Sequence, residues 1–317
     1  MRKSRSMKRS LIPVGLMMAL MIGAIVYVGL RTDEQPRVVI DDFAIFETRP
    51  TDSGNESGVY RLTADGVEPV PDHPLTETLK SARNVAYAPK KGWVFFDSTH
   101  AEAFGDTENE WAESRVVGAA LDGKTDPVII GVGGRPDVSP DEKRLIFATE
   151  DRRIWIHELE TGETIETPYS RARYTNLLWV TNSDIIFQRV DGDDYWLVRV
   201  NVDTDEVTDL GDRRIIPKAI SPDRKHIACW KWRQNGVFII DTTTNDIETI
   251  YHARFFGNGS DFVWASNSEG FYFHHESLFE GGVGSRNLYY CDLDRFEQTI
   301  DTGFRFDSGV ALGPSAN

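Results

Sequence analysis

The side chains best suited to chemistry in this chain are arginines that recur along it. Arg83, Arg135, Arg173, Arg213 with Arg214, Arg254 and Arg305 each stand ahead of a short apolar run. A guanidinium stays charged at any physiological pH and offers its N–H donors as a planar fork that matches carboxylate or phosphate. If Arg83, Arg135, Arg173, Arg214, Arg254 and Arg305 faced one space, they would form a site for an anion: a carboxylate, a phosphate or an acidic glycan. The same arginines paired with nearby Asp and Glu would be inert. Their spacing leaves both readings open.

Other constellations are weaker. Gly282-Val283-Gly284-Ser285 is the nearest string to a G-x-S-x-G nucleophile motif and is off pattern. His274 and His275 stand beside Glu276. Adjacent residues of a strand point to opposite faces, so both imidazoles cannot readily hold one metal. Asp191-Gly192-Asp193-Asp194 has oxygen ligands but neither the length nor the closing glutamate of a calcium loop. It reads as a tight hairpin turn. Asn55 and Asn258 open N-x-S sequons, which matter only in a glycosylating host. Cys229 and Cys291 both sit in strand-like runs and read as buried thiols, with an inter-blade disulfide as the other option. No catalytic residue, metal or cofactor is assigned from these motifs.

What must position the arginines is a large folded domain behind a membrane segment. The chain has 317 residues and a formal net charge of −15. That acidic balance argues against nucleic-acid binding, which needs a cationic surface to neutralise phosphates. The basic residues of 1–10 are Arg2, Lys3, Arg5, Lys8 and Arg9, with no acid among them. Residues 11–30 carry no charge, and as a helix they would span about 30 Å, a bilayer core. Residues 1–10 are expected in the cytoplasm as a basic flank, 11–30 as a single transmembrane anchor and 31–37 as a linker. The rest, 38–317, is expected outside, in the periplasm or extracellular space. The alternative is a cleaved signal and secretion, but Val26, Tyr27, Val28 and Leu30 are bulky for a cleavage site.

Beyond residue 37, short runs rich in Val, Ile, Phe, Tyr and Trp alternate with Gly, Asp, Asn and Pro turns. One unit is clear at 135–168, RPDVSPDEKRLIFATEDRRIWIHELETGETIETP. Another starts at AISPDRKHIACW, and weaker copies start at AYAPKKGWVFF, LLWVTNSDIIF and FVWASNSEGFYF. The turn positions Pro89, Pro140, Thr181, Pro222 and Ser266 are 51, 41, 41 and 44 residues apart, near the period of a four-stranded propeller blade. A sixth turn is read at Pro314. Residues 38–70 look like the last three strands of a blade lacking its first, which a C-terminal strand at 309–314 would supply. The expected fold is therefore all-β: a six-bladed β-propeller of four-stranded blades, preceded by one N-terminal transmembrane helix.

The Ser-Pro-Asp turn, apolar strand and aspartate-terminated strand in SPDEKRLIFAT and SPDRKHIACW, followed by HELETGE and DTTTND, resemble the TolB-like, WD-repeat-like propeller repeat of bacterial envelope proteins. The resemblance spans roughly 38–317, with two blades matching well. It implies a propeller and an envelope setting, but no one function, because the repeat serves many. The chain departs from TolB in having no room for a small α/β domain before the propeller, and in its tether.

Three connections between second and third strands are long, at 47–58, 97–114 and 274–287. By ring order they are neighbours, and they would rise as a lopsided lip exposing Phe104, Trp111, Leu278 and Phe279. Aromatic residues on a rim suit a partner; insertions without function are the other reading. The expected function is a membrane-anchored, non-catalytic binding or scaffold propeller of the cell envelope that recognises a protein or glycan through its loop face. The alternative is a small-ligand receptor, or a lyase- or lactonase-like propeller enzyme, with an anion site at an arginine-bearing channel mouth.

Overall fold

The computed structural model describes residues 43–51, 54–63, 66–69, 82–99, 113–169, 177–191, 194–211, 215–231, 236–252, 262–265, 267–276, 286–293, 300–306 and 310–314. They are strands and turns throughout, within one compact unit, Val39–Asn317.

The strands are short because the turn residues come at short intervals. In chain order they are β1 (Phe43–Thr51), β2 (Gly54–Thr63) and β3 (Gly66–Pro69); β4 (Arg83–Ala88), β5 (Trp93–Ser98), β6 (Arg115–Ala120) and β7 (Val128–Val132); β8 (Gly134–Val138), β9 (Arg144–Ala148), β10 (Ile154–Glu158) and β11 (Thr164–Glu166). The second half adds β12 (Leu178–Trp179), β13 (Asp184–Asp191), β14 (Asp194–Asn201) and β15 (Glu206–Gly211); β16 (Ile215–Ile220), β17 (His226–Lys231), β18 (Gly236–Asp241) and β19 (Ile247–His252); β20 (Phe262–Trp264), β21 (Gly270–Glu276), β22 (Arg286–Asp292) and β23 (Ile300–Phe306); and β24 (Val310–Pro314).

From β4 to β23, each run of four consecutive strands forms one antiparallel sheet. These are five blades of a propeller. Burial falls from the middle of a blade outward: β5 and β9 are buried almost along their length, whereas β11 is wholly exposed and β7 and β15 largely so. A strand covered on both faces needs a continuous apolar run rather than an alternating one, and VFF, LIF and IIF supply it. Apolar clusters fill the seams between blades. Ile146 and Ile154 of one blade meet Trp179, Phe187 and Val198 of the next. Phe262, Trp264, Phe271 and Phe273 pack with Trp230 and Ile239 across another seam.

The expected fold class is corrected on these findings. Five blades of four consecutive strands are packed blades with described side chains, not six. The remaining sheet, in the order β24-β1-β2-β3, joins the two ends of the described chain and is present as a strand ladder whose side chains lie outside the described residues. A blade is defined by faces packed against neighbours, and a ladder alone does not establish that. Pro314, read as a turn, lies in β24 opposite Phe43. The expected anchor at 11–30, with the flank 1–10 and linker 31–37, lies outside the described residues. Among the described residues no helix is long and apolar enough to cross a membrane.

The Ser-Pro-Asp signature has a local cause, repeated bond for bond. Ser139 Oγ donates to Asp141 Oδ1 (2.7 Å) and accepts from the Arg144 amide (2.9 Å), while the Lys143 amide donates to Asp141 (3.2 Å). Ser221 Oγ donates to Asp223 Oδ1 (2.6 Å) and accepts from the His226 amide (3.0 Å), and the Lys225 amide donates to Asp223 (3.1 Å). Burial opposes ionisation of Asp141 and Asp223, but these bonds and the adjacent lysines outweigh it and hold both carboxyls below their ordinary range. Ser139→Ala and Ser221→Ala are each expected to cost about 1 kcal/mol in urea denaturation. The Ser139→Ala/Asp141→Ala pair is expected to cost less than the sum of its single changes, because both act in one network.

Candidate functional site

The inner strands β4, β8, β12, β16 and β20 line a central channel of about 390 Å³. That is within the range of small-molecule sites. Its polar lining includes Asn84, Arg135, Asp137, Glu142, Lys218 and Arg224.

Asp137 holds the most consequential contacts. Its Oδ2 accepts the Trp179 amide at 2.7 Å, across the seam from β8 to β12. The Trp179 carbonyl in turn accepts Arg224 Nη1 at 2.7 Å, from the next blade. One residue of a two-residue strand is thus held from both sides by charged groups of flanking blades. A strand edge facing a channel leaves its backbone polar groups without a ladder, and these two side chains satisfy them. Asp137 keeps partial solvent contact. Burial still dominates its titration and pushes its pKa up to about 6, against the pull of the Arg224 charge and the amides of Trp179 and Val138.

A second carboxylate, buried Asp97 of β5, is set behind the lining. Its Oδ1 accepts Asn84 Nδ2 at 2.8 Å and the Arg135 amide at 3.0 Å, and Ser114 Oγ donates to its Oδ2 at 3.3 Å. Gly134 makes room for it, and Gly133 does so for the Ala148 carbonyl. A Cβ on Gly134 would stand 3.2 Å from the Asp97 carboxyl, and one on Gly133, whose φ is +145°, would stand 2.7 Å from the Ala148 carbonyl oxygen. At the other end of the channel, Glu142 accepts the amides of Lys90 (3.2 Å) and Lys91 (2.9 Å) from the preceding blade.

The sequence candidates fall as follows. Arg135 lines the channel, and Arg83 opens β4 with its backbone paired to Asp97. Arg305 is in β23, the outermost strand of its blade, opposite Asn287. Arg173, Arg213, Arg214 and Arg254 lie outside the described residues, as do Phe104, Trp111, Leu278 and Phe279. The supposed long connection at 47–58 is instead paired strand, from Glu47 opposite Gly58 to Thr51 opposite Gly54. His274, His275 and Glu276 are likewise paired within β21 and β22. Asp191 pairs with Asp194, as a tight hairpin requires. Cys229 and Cys291 are thiols buried in different seams, not joined by a disulfide, and burial pushes the Cys229 thiol well up.

Sequence reasoning missed Asp97, Asp137, Lys218 and Arg224. The one available signal was Asp137 itself, a carboxylate at a position where the copies carry Ala86, Leu178, Ala219 and Val263.

The chain matches no protein-family model and no curated protein sequence. Solved structures do resemble it. TolB from Acinetobacter baumannii has a TM-score of 0.62 at 15% identity, covering 93% of this chain and 71% of that one. The chain is a β-propeller similar in fold to TolB. A putative TolB from Agrobacterium tumefaciens gives a TM-score of 0.55 at 9% identity over 85% of this chain and 87% of its own. A chain of a nidogen/laminin complex gives 0.57 at 10% identity over 86% and 98%. At such identities the likeness concerns the fold.

The Asp137 environment sets a pH dependence. A pKa raised from 3.8 to about 6 means that the folded state favours the protonated acid. Its contribution to stability is therefore complete below about pH 4 and lost as pH rises through about 6, by on the order of 3 kcal/mol. Asp137→Asn keeps an acceptor for Trp179 and cannot ionise. Urea denaturation at pH 4 and pH 7.5 is expected to show the variant gaining on the wild type toward the higher pH.

Proposed function

We propose that this chain is a membrane-anchored binding propeller of the cell envelope, with a recognition surface and no reaction centre of its own. The observation that supports this best is the channel. It is ringed by rigid inner strands and lined by donors, Asn84, Arg135 and Lys218, that rise from bulged segments. Rigid elements presenting a few convergent polar groups are what recognition needs.

The basic flank and the uncharged run at 11–30 support an anchored, single-pass topology with the propeller outside the cytoplasm; a secreted form after cleavage is the alternative. The partner is a protein or glycan, met through Phe104, Trp111, Leu278 and Phe279 on the loop face. The second reading, a small-ligand receptor or lyase-like enzyme with an anion site at the channel mouth, draws on Arg135. Arg83, Arg173, Arg214, Arg254 and Arg305 complete that proposal.

Two measurements test the leading reading. The full chain is expected to stay in the membrane fraction after a carbonate wash, with the propeller open to protease from outside. Release by carbonate, or protection from that protease, would refute the anchored topology. Deleting residues 100–112 is expected to reduce crosslinked partners several-fold without lowering the melting temperature. This deletion spares Asp97, Ser98 and Ser114, which hold the channel wall. Unchanged crosslinks would remove the lip from the proposal.

A further inference from the structure

Two residues depart from the blade repeat, and they meet. Asp137 stands on β8 at a position where the other described inner strands carry Ala86, Leu178, Ala219 and Val263. Arg224 fills the left-handed turn position, with φ of 62°, that Glu142 and Ser268 fill in two other blades. Glu142 and Ser268 accept turn amides of the blade before them. Arg224 reaches inward instead and donates to the Trp179 carbonyl, while Asp137 accepts the amide of the same residue. A fold built from repeats uses the same residue types at the same places, and local departures gather at functional sites.

The amide and carbonyl of an extended residue point to one side of its strand. Asp137 and Arg224 therefore lie side by side along the edge that β12 turns away from β13, and both line the channel. Their charges act on each other, yet among the described residues no ion pair joins them. Each keeps capacity to spare. A carboxylate has acceptor sites for several donors, and a guanidinium has several N–H groups. Asp137 accepts the amides of Trp179 and Val138, and Arg224 gives one N–H to Trp179. Closing the β12 edge needs only a donor and an acceptor, and a neutral pair would do so at lower desolvation cost. The two charges therefore point to a ligand. Arg135 and Lys218, the other cations at the inner strands, have partners of their own, and the site does not call on them.

A free α-amino acid presents the complementary pair. Its ammonium and carboxylate are attached to one carbon, as Asp137 and Arg224 flank one residue. The ammonium can donate to Asp137 while the carboxylate accepts from the Arg224 fork. A peptide holds its two terminal charges further apart, and a plain carboxylate leaves Asp137 unanswered. A channel of about 390 Å³ has room for an amino acid, and half-buried Val85 and Ile220 offer apolar wall within it.

Resting on the small-ligand reading of the channel above, we infer that it binds a free α-amino acid with an apolar side chain. Asp137 receives the ammonium and Arg224 the carboxylate. This ligand sits inside the ring, apart from the loop face.

The test is calorimetric titration of the full chain in detergent at pH 7.5, where Asp137 is ionised. The probes are L-leucine, 4-methylpentanoate, which lacks its amino group, and isopentylamine, which lacks its carboxylate. Leucine is expected to bind, and each half-ligand about tenfold more weakly or worse. Asp137→Asn keeps an acceptor for the Trp179 amide. It is expected to weaken leucine about tenfold and to leave 4-methylpentanoate little changed. Arg224→Gln keeps a donor for the Trp179 carbonyl. It is expected to weaken leucine and 4-methylpentanoate alike and to leave isopentylamine little changed. This crossed pattern separates ligand contacts from a purely structural pair, whose loss would weaken all three probes together. That uniform loss, the absence of leucine binding, or leucine affinity indifferent to Asp137 or Arg224 would overturn the inference. Should 4-methylpentanoate bind as tightly as leucine, the inference fails while the anion-site reading stands. Crosslinked partners that persist alongside any of these failures leave the binding-propeller reading in place.

Discussion

Neighbouring blades share no backbone ladder, and the rest of the structure depends on how that gap is bridged. Each described sheet ends at its own inner and outer strand. Apolar packing fills the seams, but packing alone permits sliding. Side chains that hydrogen-bond to the backbone of the next blade do not. Glu142 takes the Lys90 and Lys91 amides, Asn182 takes the Asp141 amide, and Ser268 takes the Asp223 amide. In each case a turn side chain accepts from the turn backbone of the blade before it. Arg144 bonds to Asp203 and lies over the Trp179 ring at 4.9 Å, and Arg199 bridges Asp184 to the Thr242 carbonyl.

The channel inherits its rigidity from these seam bonds. β12 is only two residues long, and the bonds from Asp137 and Arg224 to Trp179 do for it what a longer ladder would do. The cost is a carboxylate placed where burial raises its pKa to about 6. Asp97 shows the complementary arrangement: a buried carboxylate accepting several bonds and fixing loop-proximal backbone on two blades at once. Arginines that the sequence did not single out as ligand contacts are structural for the same reason. Arg144, Arg199 and Arg224 donate to the Asn182, Thr242 and Trp179 carbonyls of adjacent blades.

Much of the architecture was legible before any coordinates. The Ser-Pro-Asp turns announce themselves because a local hydrogen-bond network needs those residue types at fixed offsets, and such a network does not depend on distant contacts. The apolar runs of the second strands are legible because burial on both faces leaves no polar position. The fragments at either end of the chain implied the pairing of β24 with β1, since an unpaired edge is unfavourable. The loops were read less well. Residues 47–58 look like turn by composition, rich in Thr, Asp, Ser, Asn and Gly, yet they continue a ladder because the partner strand is there to pair with.

What the sequence by itself determined is therefore the repeat, the strand chemistry and the turn networks, all set by neighbours within a few residues. What only the tertiary structure decided is which polar groups meet across a seam. Asp97 and Arg135 are 38 residues apart, and Asp137 and Trp179 are 42. No local period encodes those distances. They follow from the rotation of one blade against the next and from bulges that shift register by a residue, and both are settled by packing over the whole ring.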